Sequence, residues 1–553
     1  MQWPMMPRAR LGSVAVKCTT ATVGLLLMAA VTVMATADQE PTQTATTSRG
    51  KILMYPYVSL GKNSHIVNFV RLAKILRSRG YHVHLLIGAD ADAGSWDELD
   101  QIFDVVHLYP SANRSDIDIA KVTLEWSSMS SYQFVLWITD NLLSQCEALL
   151  SRPSLLVDMQ RERYDLLFTD FVNNCGRIVS DYLNIPTIAY SPAGFISDKA
   201  LFPDLPSFIP VSPMSQLEPG KMTFSKRIEN TLEYVAMNLF WFPQWFGTFQ
   251  SLREKYQINA SLDVRMSFLS ALVLVRSDFV LDYPRPVMPN VVTIEGVFFD
   301  DPKPLPHDIA TFVDGAGSDG IIVVCFGTMI GHLDRRRNEM YARVLARFPQ
   351  RVVWRVAGMK PASLGNNTLA VDWLPQNDLL RHANTRLFVS HCGLSSTMEA
   401  AHNAVPVVAM PMCTDGFQNA LKLTRAGMAF SLDFKTLTED SLESAIWEVL
   451  NDQRYKRNAI RVAALLNDTL VPPRDKFLYY VDYVIRHGGV AHWQADVLQT
   501  MNNWQLFNFD MAALGLIVLM IALFIAGGVF WLSIKFMWQC WLAPKPINKE
   551  HAH

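Results

Sequence analysis

The chain is poor in the features that mark several common functional classes. Its 49 Lys and Arg against 51 Asp and Glu leave a net charge of −2. That balance offers no basic face for a nucleic acid. Seven cysteines occur in 553 residues. Cys18 lies in the N-terminal signal and Cys540 near the last apolar segment. The other five (Cys146, Cys175, Cys325, Cys392 and Cys413) are odd in number, lack CxxC spacing, and give neither a zinc pattern nor a disulfide framework. No His, Cys and carboxylate residues stand at metal-ligand spacing, so neither a metal nor a cofactor is expected. Low-complexity tracts and short internal repeats are also missing. Between Asp510 and Lys535 there is no charged residue.

That last absence points to a membrane. The stretch 511–534 is long enough for a ~30 Å hydrocarbon core at ~1.5 Å per residue. Trp531, Trp538 and Trp541 stand at its far end as an interfacial belt, and Lys535, Lys545 and Lys549 follow. At the other terminus Arg8, Arg10 and Lys17 precede a short apolar core, Val23 to Met34, and the small-residue pattern Ala35-Thr36-Ala37. Residues 1–37 read as a cleaved signal peptide, with an uncleaved anchor as the rival reading. A signal and one late span imply a single-pass type I chain with a lumenal body and a cytosolic tail, 535–553. The sequons at Asn113, Asn259, Asn366 and Asn467 agree with lumenal exposure.

Half the residues are hydrophobic, enough for large cores. KILMYPYV, YHVHLLIG, YDLLFTD and IPTIAYSP read as strands, with a helix from about Ile66 to Arg79 between the first two. The region from about 200 to 290 is aromatic and irregular. It reads as loops and short helices lining an apolar cleft, with a plain core or a membrane-contacting surface as alternatives. DDPKPLPHD, residues 300–308, is rich in proline and charge and reads as a linker. Beyond it GIIVVCFGTM, RVVWRVAG, TRLFVSH and VPVVAMP are strand candidates; NEMYARVLARF, LSSTMEAAHN and FQNALKLTRAG are helix candidates. Strands alternating with helices give an α/β fold of two doubly wound, Rossmann-like domains, 38–299 and 317–495, joined by the linker 300–316. Ligands in such folds lie beyond the carboxyl ends of the strands.

A polar cluster, HCGLSSTMEA, residues 391–400, lies between two strand-like apolar runs at a strand-to-helix turn. Gly393 lets backbone approach a ligand. The N–H groups of Leu394, Ser395 and Ser396 make an anion site at a helix start, with His391 and the two serine hydroxyls as further donors. Glu399, one turn in, suits paired hydroxyls such as those of a ribose. The bland alternative is an ordinary helix with Ser395 or Ser396 as its cap.

With VDWLPQNDLLRH upstream and PMCTDGFQNA downstream, the order WLPQ…HCG…SS…E…P…D…N resembles the signature of the UDP-glycosyltransferases, more narrowly of the animal membrane-bound UDP-glucuronosyltransferases. The SH after the first strand, the CFGTM turn and RDKFLYYVDYVIRHGGVAHW before the span extend the likeness over nearly the whole mature chain. The resemblance implies a GT-B-type fold, two Rossmann-like domains facing a cleft, with one C-terminal transmembrane helix. It implies a C-terminal UDP-sugar domain in which Trp373 stacks on uracil, Gln376 and Glu399 hold the ribose, Thr328, His391, Ser395 and Ser396 meet the diphosphate, and Asp415 bonds sugar hydroxyls. A packed core tryptophan is the alternative for Trp373. In the N-terminal, acceptor-binding domain it implies His65 as general base and Asp170 as its partner, against helix capping for His65 and an N-cap or ion-pair role for Asp170.

The expected reaction is inverting and metal-independent. It moves glucuronate or glucose from UDP-glucuronate or UDP-glucose to a small lipophilic acceptor, in the endoplasmic reticulum membrane. The ending Lys549-Glu-His551-Ala-His553 resembles a lysine-based retrieval signal. A homo-oligomer is left open. Three positions depart from the family pattern: Gly416 stands for the usual Gln after Asp415, Cys392 for a Gly, and Ala404 for a Gly. Gly416 leaves the sugar undecided, with Gln418 as a compensating amide, and keeps alive a lumenal sugar-nucleotide-binding protein without turnover.

Overall fold

The computed structural model describes residues 49–57, 63–89, 99–110, 131–195, 209, 215, 217–260, 262, 264, 271–299, 302–327, 335–356, 358–412, 415–493, 501–506 and 508–542. The proposed signal peptide, the Asn113 sequon, Thr328 and the Lys549/His551 tail lie outside these residues.

Runs of Ile, Val and Leu, apolar on both faces, form two parallel sheets. The first comprises β1 (Lys51–Tyr55), β2 (His82–Gly88), β3 (Val105–Tyr109), β4 (Leu166–Asp170), β5 (Thr187–Ser191), β6 (Leu272–Val275) and β7 (Val291–Thr293), in the order β3-β2-β1-β4-β5-β6-β7. The second comprises β8 (Ile321–Cys325), β9 (Arg351–Arg355), β10 (Thr368–Val371), β11 (Thr385–Ser390), β12 (Val407–Ala409) and β13 (Ala429–Ser431), in the order β10-β9-β8-β11-β12-β13. The strand order reverses between β1 and β4 in the first sheet and between β8 and β11 in the second. Such switch points open a crevice at the carboxyl ends of the two strands.

The helices that matter here are α1 (Ser64–Ser78), α2 (Ser131–Leu150), α3 (Cys175–Leu183), α4 (Phe224–Ala236), α5 (Phe242–Lys255), α6 (His307–Asp314), α7 (Arg335–Leu345), α8 (Gln376–Arg381), α9 (Leu394–His402), α10 (Gly416–Arg425), α11 (Pro473–His487) and α12 (Phe509–Leu542). Each sheet is packed on both faces. Ile66, Phe69 and Leu72 of α1 and Phe477 and Val481 of α11 cover one face of the first sheet. Phe242, Trp245, Phe246 and Phe249 of α5 cover the other. The aromatic run of the middle region therefore fills a core. A π-helical turn, Met237–Trp241, joins α4 to α5. Pro243 in the first turn of α5 has no N–H to donate backwards, which accounts for the irregular turn before it.

Two elements fall outside the sequence-based boundaries. α6 lies inside the proposed linker, yet buries Ile309 and Val313 in the second core. α11 lies inside the proposed C-terminal domain, yet buries Phe477, Leu478, Val481 and Val484 in the first. The chain thus crosses back to its first half before the apolar helix. The expectation of no disulfide is corrected: Cys146 of α2 is joined to Cys175 at the start of α3. Two cysteines 29 residues apart give no spacing motif. Only the packing of the two helices brings them together.

α12 runs for 34 residues with none of its side chains buried. Among the described residues it is the helix long and apolar enough to cross a membrane. It extends past the proposed span, 511–534. Lys535 lies inside it with its ammonium over the Trp531 ring.

Candidate active site

Each switch point presents a histidine. Asn63 caps α1 by accepting from the N–H groups of His65 and Ile66. The imidazole of His65 is thereby released from capping, and it stands in the first turn of the helix rather than in the loop before it. Asp170 ends β4, the strand beside β1. Its carboxylate has no exposure, and its Oδ2 lies 2.7 Å from His65 Nδ1. The second oxygen accepts from the Val172 N–H. Asp170 is therefore no N-cap; that position before α3 belongs to Asn174. Burial depresses the imidazole pKa of His65, but the charge and hydrogen bond of Asp170, with a smaller contribution from Asp415, raise it above its ordinary value.

The second switch point holds His391 after β11. Burial pushes its pKa down to about 4 against the charge of Asp415 and a bond to the Cys325 backbone. This ring is neutral throughout the physiological range. Its Nδ1 is buried and has no hydrogen-bond partner among the described residues. Two glycines make room for the ring: a Cβ would stand 2.5 Å from Nε2 at Gly327 and 2.6 Å at Gly393. Gly327 also has φ +77°, a conformation that side chains disfavour.

α9 begins after Gly393, which contributes no side-chain cap. Neither serine is the cap. Leu394 was expected to offer a free N–H; instead it donates to Asp415 Oδ2 at 3.1 Å. Asp415 thus seats a carboxylate at the positive end of α9 while lining the same cavity. Ser396 Oγ accepts from Gln376 Nε2 at 3.1 Å, and the same amide donates to Glu399 Oε2 at 2.6 Å. Gln376 and Glu399 are therefore joined directly, with Ser396 on their side. Trp373 is 56% exposed, so it is not a core tryptophan. The Arg355 guanidinium lies over its ring at 5.1 Å. Gln418 does not compensate for Gly416: it is buried, and its amide donates to the Ser215 and Leu217 carbonyls. A Cβ at Gly416 would stand 2.8 Å from the His391 carbonyl oxygen, so the backbone occupies the room that a side chain would need.

The two other departures carry a conformational signature. Cys392 and Ala404 have φ of 62° and 56°. Both hold the left-handed conformation that suits the glycine of the family pattern, at a strain of roughly 1–2 kcal/mol each.

Eight of these groups line one cavity of about 340 Å³, within the range of small-ligand pockets. His65 bounds it from the first sheet; Trp373, Gln376, His391, Ser395, Ser396, Glu399 and Asp415 bound it from the second. Thr328 lies outside the described residues. Sequence reasoning missed three arginines. Arg355 ends β9. Arg276 follows β6 and donates to Ser395 Oγ at 2.6 Å while fully buried beside Glu295. Arg71 of α1 stands 3.7 Å from Glu399 Oε1. A charged residue at the carboxyl end of a buried strand was the available signal for Arg276 and Arg355. Arg71 had none, being one basic residue among several on a helix.

Residues 51–540 match the family model described as "UDP-glucoronosyl and UDP-glucosyl transferase". The chain is 31% identical to UDP-glucuronosyltransferase 1A5 of Rattus norvegicus, over 86% of this chain and 90% of that protein. It is 32% identical to UDP-glucuronosyltransferase 2B17 of Homo sapiens, over 80% and 86%. It is 29% identical to 2-hydroxyacylsphingosine 1-beta-galactosyltransferase of Mus musculus, over 88% and 90%. The fold is similar to the calicheamicin glycosyltransferase CalG4 (TM-score 0.55, 16% identity, 78% of this chain and 98% of that one). It is also similar to a UDP-glucose: anthocyanidin 3-O-glucosyltransferase in complex with UDP (TM-score 0.54, 15% identity, 80% and 99%).

Proposed function

The chain belongs to the UDP-glucuronosyl and UDP-glucosyl transferase family, and from that premise we propose that it transfers glucuronate or glucose from UDP to a small lipophilic acceptor, with inversion and without a metal. The observation that carries the reading is the His65–Asp170 pair, 2.7 Å apart, with His65 on the wall of the cavity that Glu399, Gln376 and His391 also line and Asp170 buried behind it.

Asp170 fixes Nδ1 of His65 and stabilises the imidazolium that forms on proton transfer. Nε2 takes the proton of the acceptor hydroxyl. The acceptor oxygen bonds to the anomeric carbon from the side opposite the diphosphate. The bond from that carbon to the diphosphate oxygen breaks, and UDP leaves with the electron pair, inverting the centre. The charge developing on the diphosphate meets the Ser395 and Ser396 N–H groups at the start of α9 and a neutral imidazole, His391, kept uncharged by burial. Asp415, which already accepts from Leu394, keeps its place beside the sugar. Trp373 stacks on the base, and Gln376 with Glu399 takes the ribose. Thr328 completes the diphosphate contacts. His65→Ala tests the reading: transfer is lost and UDP binding stays. Near-normal turnover in that variant would remove His65 as the base. Persistence of activity in excess EDTA checks the metal-independent route.

The donor sugar is to be settled by assay. The relatives named above as glucuronosyl- and galactosyltransferases stand at similar identity, and Gly416 lacks the amide of the family pattern. The lumenal, type I placement in the endoplasmic reticulum is supported by the Cys146–Cys175 bond, since disulfides persist in oxidising compartments. Asn259, Asn366 and Asn467 are exposed, as glycosylation would require. Protease added to sealed microsomes should trim only the tail; digestion of the body would overturn the topology.

A further inference from the structure

Ser395 and Glu399 lie one turn apart on α9, and each is met by an arginine from the other sheet's domain. Arg276 donates to Ser395 Oγ at 2.6 Å. Arg71 faces Glu399 Oε1 at 3.7 Å. The two contacts differ in kind. Arg276 is fully buried, also meets Asn68 Oδ1 at 3.3 Å, and stacks at 4.4 Å on Phe298; it is part of the framework. Arg71 is partly open to the cavity and is anchored by one bond to the Phe298 carbonyl. The separation of 3.7 Å makes Arg71 and Glu399 an ion pair without a direct hydrogen bond. Glu399 is nearly buried, and Gln376 occupies its other oxygen, Oε2.

A hydroxyl placed against this pair can satisfy both members at once. Its hydrogen goes to Glu399 Oε1, and its oxygen accepts from the guanidinium. We propose that Arg71 is a donor-specificity residue supplied by the acceptor-side domain, which holds a ribose hydroxyl of the nucleotide against Glu399. This rests on the reading of Glu399 as the ribose residue. The spacing along α1 agrees with it. Arg71 lies six residues beyond His65, about 9 Å along the helix axis. That distance is comparable with the reach of a diphosphate between an anomeric carbon and its nucleoside. One helix of the first domain would then place the base at the sugar and a cation at the ribose, and nucleotide binding would tie the two domains together before the acceptor reacts.

Calorimetry on the full-length protein in detergent tests this with UDP, 2′-deoxy-UDP and 3′-deoxy-UDP. Arg71→Ala should weaken UDP about tenfold, the loss of one charge-assisted hydrogen bond. At least one of the deoxy nucleotides should bind wild type and variant equally, because it lacks the group that Arg71 holds. Arg71→Lys should recover part of the loss. In turnover the effect should fall on KM for the UDP-sugar and leave kcat in place. An equal loss for all three nucleotides would overturn the proposal and reduce Arg71 to a brace for the cleft. Unchanged UDP affinity in Arg71→Ala, with affinity lost in Glu399→Ala, would overturn it while leaving the nucleotide site in place. Unchanged affinity in both would remove the ribose assignment and the proposal together.

Discussion

His65 and His391 stand on opposite strands of their switch points, His65 after β1 and His391 after β11, the counterpart of β4. Each follows a central strand at the switch point of its own sheet, and each has a carboxylate nearby. They titrate in opposite directions. Asp170 is 2.7 Å from His65, and its charge and hydrogen bond overcome the burial of the ring. Asp415 acts on His391 only through space, its Oδ2 being occupied by Leu394 and Asn419, and there burial wins. One residue type on one topology thus yields a ring suited to taking a proton and a ring that stays neutral beside charge. The direct carboxylate bond makes the difference.

The contrast is open to test on both sides, and the largest effect is expected at His65. His65→Ala should lower transfer by about 10²–10⁴-fold, the range of a positioned base, with the Kd for UDP unchanged. A parallel loss of UDP affinity would mean that the halves do not divide the work. Asp170→Asn should be nearly as severe, because it removes the partner that sets the tautomer of the base. Its pH profile is the sharper readout. The base must be neutral to act, and Asp170 raises the pKa of His65. The acid limb of kcat/KM should therefore lie above the ordinary imidazole value of ~6.5 in the wild type and move to lower pH in Asp170→Asn. A limb that stays in place would detach the pair from the rate.

On the other side, Trp373→Ala and Glu399→Ala should weaken UDP by roughly 1–3 kcal/mol with the fold retained; unchanged affinity in both would sink the nucleotide site. Cys146→Ala should destabilise the first half by about 3 kcal/mol, as the loss of a loop-closing bridge does. Thermal unfolding should show this while UDP still binds the second half. The smallest effect is a gain. Ala404→Gly should relieve a left-handed residue and stabilise the chain by about 1 kcal/mol, read as a rise in Tm.

The strands named in advance were those whose apolar runs are buried on both faces: β1, β2, β4, β5, β8, β9, β11 and β12. Those not named are β3, which is largely open to solvent rather than buried on both faces, and short strands such as β7, β10 and β13. The short ones are strands because the sheet beside them supplies their hydrogen-bond partners. β6 was hidden in the aromatic middle for the same reason. The cluster from His391 to Glu399 was legible because small and polar residues gather at a strand-to-helix turn, and its neighbours WLPQ and PMCTDGFQNA set it apart from an ordinary helix cap.

Order along the chain was enough for the alternation of strands and helices, the late apolar helix and the turn at residues 391–399, while the candidate pair His65 and Asp170 came from the family resemblance. The first three depend on local periodicity and on residue types at strand ends. Tertiary structure alone decided the Cys146–Cys175 bridge, the return of α11 to the first core, the capture of Leu394 by Asp415, and the meeting of Arg71 and Arg276 with α9. Each joins groups from separate elements, where contact depends on how helices and sheets pack and no short pattern records it. The opposite pKa shifts of two histidines are of the same kind: a charge acts over a few ångströms in space, whatever its distance along the chain.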